Sequence, residues 1–176
     1  RKFIVADTPG HEQYTRNMAT GASTADVAIL LVDARTGLLS QTCRHSYIIN
    51  MLGVKNVCLA INKMDLVDYS QDIFEKIKAE FLEFSADLNF EKIMSIPVSA
   101  LRGDNIISNS TNTHWYKGES LIQYLENLKF ETEKEFQVFT LPVQWVNRLS
   151  HEFRGFCGLV AEGSISEGDE IMVKPS

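Results

Sequence analysis

Four short apolar runs, each closing on a polar turn, constrain the fold of this chain more than anything else in it. Phe3-Ile4-Val5-Ala6 ends on Asp7-Thr8-Pro9-Gly10, and Val27–Val32 ends on Asp33-Ala34-Arg35-Thr36-Gly37. Val57–Ile61 closes on Asn62-Lys63-Met64-Asp65, and Ile93–Val98 closes on Ser99-Ala100. Continuous apolar runs of this length suit strands of a parallel sheet covered on both faces. Helical patterns lie between them. Ser40 predicts the cap of a helix in which Tyr47, Ile48, Met51 and Leu52 share a face, with Gly53 at its C-terminal cap. Ser70 predicts a second cap, with Asp72 in the first turn and Ile73, Phe74, Ile77, Phe81 and Leu82 as the apolar stripe. Leu121, Tyr124, Leu125 and Leu128 keep the helical spacing of a third. Strands alternating with helices imply βαβ units and therefore an α/β domain around a mostly parallel, doubly wound sheet. The polar stretch 102–118 reads as loop.

The pattern changes after the charged run Glu131–Glu135, which reads as a linker. Beyond it, Val138 to Val146 and Phe153 to Ala161 read as strands, and Glu167-Gly168-Asp169 as a turn into Ile171–Val173. The expected organisation is a partial α/β domain over 1–130, a linker over 131–135, and the beginning of an antiparallel β-barrel over 136–176.

Bulk properties narrow the function classes. The net charge of −6 over 176 residues shows no basic footprint of the kind that tight nucleic-acid binding leaves. No apolar run approaches the roughly 18–20 residues that span a bilayer. Cys43, Cys58 and Cys157 are scattered and form no Cys-x-x-Cys pair, so reduced thiols in a cytoplasmic protein are expected. Arg1-Lys2 runs straight into an apolar segment without an initiator Met, which reads as an internal cut through a longer protein.

The chemistry is expected where the strands end, because open parallel sheets bind ligands at their carboxyl edge. In Asp7-Thr8-Pro9-Gly10-His11, a carboxylate just past a strand can hold Mg²⁺ through a bound water. Gly10 lets a backbone N–H approach a phosphate oxygen, and His11 can orient an attacking water. Taken alone, the same run also reads as a tight Pro-Gly turn with a surface histidine. Asn62-Lys63-Met64-Asp65 suits a guanine base: the Asp65 carboxylate can accept from N1–H and the N2 amino group, a donor pair adenine lacks. The Lys63 stem can lie along the base plane. A strand followed by a polar turn is the plainer reading of that run. Ser99-Ala100-Leu101 is a small-residue turn whose backbone N–H can reach guanine O6. Three such runs in this order, each at a strand end, point together to a guanine-nucleotide fold.

These residues resemble the third, fourth and fifth motifs of translation-factor-type P-loop GTPases. A finer similarity is to the regulatory GTPase subunits of bacterial sulfate adenylyltransferase. It is carried by DTPGHEQYTRNMATGAST at 7–24, AINKMDLVDYS at 60–70, SALRGDN at 99–105, WYKGESL at 115–121, PVQWVNR at 142–148 and FRGFCG at 154–159. The resemblance implies a GTP- and Mg²⁺-dependent subunit of a heterodimer. GTP hydrolysis there drives adenylyl sulfate synthesis from ATP and sulfate by a separate catalytic subunit, in the cytoplasm, with neither nucleic acid nor membrane as partner. The rival resemblance is to elongation factors that deliver tRNA. No G-x-x-x-x-G-K-[ST] phosphate loop occurs in the chain. In this fold the strand leading into that loop lies between the strands expected at 2–6 and 27–32, so a gap or rearrangement is expected there. Asp33 reads only as a loop cap.

Overall fold

The computed structural model describes residues 1–8, 15–129, 138–151 and 153–174. The chain divides into two compact units, Arg1–Phe130 and Glu131–Ser176.

The first unit is built on a three-stranded parallel sheet of β1 (Val27–Asp33), β2 (Asn56–Asn62) and β3 (Lys92–Pro97), in that spatial order. Each strand falls within a residue or so of its apolar run. α1 (Thr15–Ala22) precedes β1, α2 (Ser40–Met51) joins β1 to β2, and α3 (Gln71–Phe84) joins β2 to β3. α4 (Leu121–Asn127) follows the long loop after β3. β2 explains why its run alternates with nothing polar, because both its faces are covered. Val57, Leu59 and Ile61 pack with Ile49 of α2 and Phe74, Ile77 and Phe81 of α3, while Cys58 and Ala60 pack with Ile96, Val98, Tyr124 and Leu128. Each large apolar side chain buried this fully contributes about 1.5–3 kcal/mol.

Local signals place the helix ends. Ser70 caps α3 by accepting from the Ile73 N–H at 3.4 Å. Gly53, at φ +82°, ends α2 in the left-handed region, where a side chain would be strained. The start of α2 differs from expectation. Leu39 is its N-cap without a side-chain bond, because the Leu39 carbonyl already accepts the Cys43 N–H and draws Ser40 into the first turn. Its buried face differs as well. Ser46 and Ile49 are inside, whereas Tyr47 and Met51 are exposed. The capping box of α4, in which the Ser120 and Gln123 side chains bond each other's backbone N–H, was not anticipated.

Phe3–Ala6 is the main correction to the expected fold, for residues 1–8 form no strand. Ile4 is 96% exposed and Val5 84%. A strand exists only through its ladder, and no described neighbour offers one to this run. Arg1 instead donates to the carbonyls of Leu125, Glu126 and Leu128 at the electronegative end of α4. Ala6 and Thr8 lie against Gly21 of α1, where an added Cβ would come within 3.0 Å of Thr8 Cγ2. The expected rearrangement between 2–6 and 27–32 therefore takes this form. Among the described residues β1 pairs only β2, and its Ile29 and Leu31 are exposed.

The second unit holds a small antiparallel pair, β4 (Trp145–Asn147) and β5 (Gly155–Cys157), with Val146 opposite Phe156. A bridge joins Thr140 and Glu162. The expected turn forms at 166–169, closed by the Ser166 N–H donating to Asp169 Oδ2 at 2.8 Å. Most of Val138–Val146 and Phe153–Ala161, and all of Ile171–Val173, lie outside strands. A two-stranded ribbon is marginal without a third strand or a packing partner, and here Phe156 and Met172 stay exposed.

Candidate functional site

The register of the sheet brings three strand ends to one edge. Asp33 stands beside Asn62, and Ile61 beside Pro97. The Ala34 N–H then donates to the Asn62 carbonyl, and the Met64 N–H to the Val98 carbonyl. Asn62 is the clasp of this edge. Its Oδ1 accepts from the Lys63 N–H at 2.7 Å and from the Ala100 N–H at 3.0 Å, tying the end of β2 to the turn after β3.

Lys63 adopts the left-handed region at φ +64°, which costs a residue with a Cβ roughly 1–2 kcal/mol. The chain then enters a tight 3₁₀ turn over Met64–Val67, with Met64 fully buried as its anchor. Asp65 follows, with a side chain only 7% exposed. Ser99 Oγ donates to Asp65 Oδ1 at 2.6 Å, while Arg102 Nε stands 4.0 Å from Oδ2, outside hydrogen-bond distance. Ser99 is itself buried, and its turn is closed by the Gly103 N–H on its carbonyl at 2.7 Å. Leu101 projects from this turn at 87% exposure.

Of the run 7–11, Asp7 is exposed and Thr8 half-buried against Gly21. Pro9, Gly10 and His11 lie outside the described residues. Asn62, Lys63, Asp65, Ser99 and Ala100 are thus brought together, with Leu101 at their border. Among the described residues, no group of three His, Cys, Asp or Glu side chains is disposed to hold a metal.

Several residues of this edge received no functional role from the sequence. Asp33, read as a loop cap, binds Lys63 Nζ at 2.8 Å through Oδ2 while Arg35 holds both its oxygens. The Arg35 guanidinium, more than Lys63, holds the Asp33 carboxyl far below the usual carboxylate range, against the opposing effect of burial. Asp104 and Asn105 organise the long loop. Asn105 is fully buried, giving its amide to the Pro97 carbonyl and Thr113 Oγ1 and accepting from the Ser110 N–H. Burial would raise the Asp104 carboxyl, but hydrogen bonds from Ser110, Tyr69 and Asn112 outweigh it and keep it below its ordinary value. Trp115 closes the circuit by donating from Nε1 to the Tyr69 carbonyl at 3.0 Å. The nearest sequence signal for all this is the adjacent Asp104-Asn105 pair, which follows Ser99-Ala100-Leu101 after Arg102 and Gly103.

Chemically, this edge offers a largely buried, oriented carboxylate that only accepts, flanked by a long aliphatic stem and an exposed leucine. That set suits a planar heterocycle with two adjacent N–H donors. The chain matches the family model of the elongation factor Tu GTP-binding domain over residues 1–141, and it belongs to that family. Similarity to sulfate adenylyltransferase subunit 1 runs along the whole chain. The chain is 55% identical over 176 residues to sulfate adenylyltransferase subunit 1 of Cellvibrio japonicus, and 58% identical over 177 aligned residues to the protein of that name from Vibrio cholerae. Each comparison covers 100% of this chain and 37% of the relative, so the chain spans little more than a third of their length. Among solved structures, sup35 complexed with GDP superposes with a TM-score of 0.57 at 26% identity, over 74% of this chain and 36% of that one.

Proposed function

We propose that the whole protein to which this segment belongs is the GTP-hydrolysing subunit of a sulfate adenylyltransferase. In this reading it couples GTP turnover to adenylyl sulfate synthesis from ATP and sulfate by a partner catalytic subunit, in cytoplasmic sulfate assimilation. The observation that carries the guanine part is the fixed carboxylate of Asp65, oriented by Ser99 Oγ at 2.6 Å and set beside the Asn62 clasp. The partner and the sulfate chemistry rest on the similarity to sulfate adenylyltransferase subunit 1. Residues 1–130 serve as the nucleotide-binding part, 131–135 as a linker, and 136–176 as the opening of a barrel domain.

Asp65 accepts from guanine N1–H and its amino group, Asn62 holds the two motif turns in register, and the Lys63 stem and Leu101 flank the base. The Ala100 N–H is bonded to Asn62 Oδ1, so a base that takes it through O6 competes with that bond. The hard oxygen of Asp7 has the donor chemistry for a water-bridged Mg²⁺, which when bound neutralises phosphate charge. Thr8, Pro9 and Gly10 bring backbone to the γ-phosphate, and His11 orients the attacking water.

Asp65→Asn in the whole protein tests the reading. Asparagine replaces one acceptor by an NH₂ donor, which matches the 2-carbonyl of xanthine and clashes with the amino group of guanine. GTP should weaken on the order of 10²- to 10⁴-fold while xanthosine triphosphate gains. A mutant that keeps the wild-type preference for GTP in competition binding overturns the base assignment. Copurification with an ATP sulfurylase catalytic subunit, as opposed to aminoacyl-tRNA, tests the partner.

A further inference from the structure

The ion pair between Asp33 and Lys63 joins two strand ends that are 30 residues apart in sequence. Lys63 leaves β2 in a left-handed conformation, which turns its side chain back beside β1, where Asp33 stands opposite Asn62. The Asp33 carboxylate is not free to follow it. Arg35 donates its backbone N–H and Nε to Oδ1, at 2.9 and 3.0 Å, and Nη2 to Oδ2 at 2.7 Å. Three bonds from one neighbour fix the plane of the carboxylate, and Oδ2 meets the Lys63 ammonium at 2.8 Å.

We propose that Asp33 is a positioning residue for base recognition: it anchors the Lys63 ammonium, so that the Lys63 stem is held along the strand ends as one wall of the base site. This rests on the guanine reading of Asp65. The pair is partly open to solvent, with Lys63 46% and Arg35 49% exposed against 20% for Asp33. Pairs this exposed contribute little to folding stability. The anchor therefore acts on where a flexible four-carbon side chain sits, and not on whether the domain folds. It involves no phosphate contact, so GDP and GTP should feel it equally.

The experiment is a double-mutant cycle in the whole protein, with Kd measured by titration of a fluorescent GDP analogue. Asp33→Asn should weaken binding about three- to fivefold, the upper end of the scale of a partly exposed charge pair. In a Lys63→Met background, which keeps a stem but has no ammonium, the same substitution should change Kd by less than about twofold. Asp33→Glu, which keeps the carboxylate, should stay within about twofold of wild type. An unchanged Kd in Asp33→Asn overturns the proposal, as does an equal loss in both backgrounds or a loss in Asp33→Glu as large as in Asp33→Asn. The two readings fail separately. If Asp65→Asn switches preference toward xanthosine triphosphate while Asp33 and Lys63 prove uncoupled, the base assignment stands and only the role of Asp33 falls. If Asp65→Asn leaves GTP preferred, the base assignment itself falls.

Discussion

Asp7-Thr8 and Asn62-Lys63-Met64-Asp65 each follow an apolar run of much the same character, Phe3–Ala6 and Val57–Ile61, yet only the second stands in a sheet. Leu59 is fully buried and Ile4 is 96% exposed. The difference does not lie in the residues. β2 has a hydrogen-bonded neighbour on each side and helices over both faces, so its carboxyl end is held to the neighbouring turns. The run at 3–6 has no strand partner among the described residues; Ala6 lies against Gly21 of α1, and Arg1 before the run donates to the carbonyl end of α4. A motif at a strand end is only as well placed as the ladder behind it. The cluster of Asn62, Asp65 and Ser99 is assembled by contacts within this chain, whereas the run leading to Asp7-Thr8 has no strand partner among the described residues.

Three substitutions press on that contrast. The largest effect belongs to the phosphate side, where His11→Ala in the whole protein should lower GTP turnover about 10²-fold with nucleotide Kd nearly unchanged. Single-turnover kinetics alongside equilibrium binding would read it; a change in Kd larger than the change in rate would erase the division of labour between the two regions. Next comes the base side. Ser99→Ala removes the hydroxyl that orients Asp65 Oδ1 and should weaken GDP and GTP alike by about tenfold, the size of one hydrogen bond to a charged group. Calorimetric titration is the measurement, and unaltered affinity would mean that Asp65 is held by something else.

The smallest effect concerns a hydroxyl on the far face of the sheet. Tyr124 OH is buried with no hydrogen-bond partner among the described residues, and burial pushes its pKa up to about 12. Tyr124→Phe should leave stability unchanged or raise it by up to about 1 kcal/mol, since no bond is lost and no polar atom remains desolvated. A clear fall in the thermal midpoint would reveal a partner for this hydroxyl and would make the α4 face dependent on other segments.

The features legible in the sequence were those carried by neighbours along the chain. The bounds of β1, β2 and β3 follow from apolar runs that end on polar turns, the cap of α3 from Ser70, and the end of α2 from Gly53. Asn62, Asp65 and Ser99 could be singled out for the same reason, because a strand end and its turn are local. What the tertiary structure decided is which of these ends meet. Ser99 reaches Asp65 across 34 residues, Tyr69 reaches Asp104 across 35, and Lys63 reaches Asp33 across 30, none at a spacing that marks a motif. The exposed Tyr47 and Met51 of α2, and the unpaired run at 3–6, belong to the same group. Apolar character sets how readily a segment enters a strand or helix. Whether it does, and which face it buries, depends on hydrogen-bond partners and packing surfaces supplied from elsewhere in the fold.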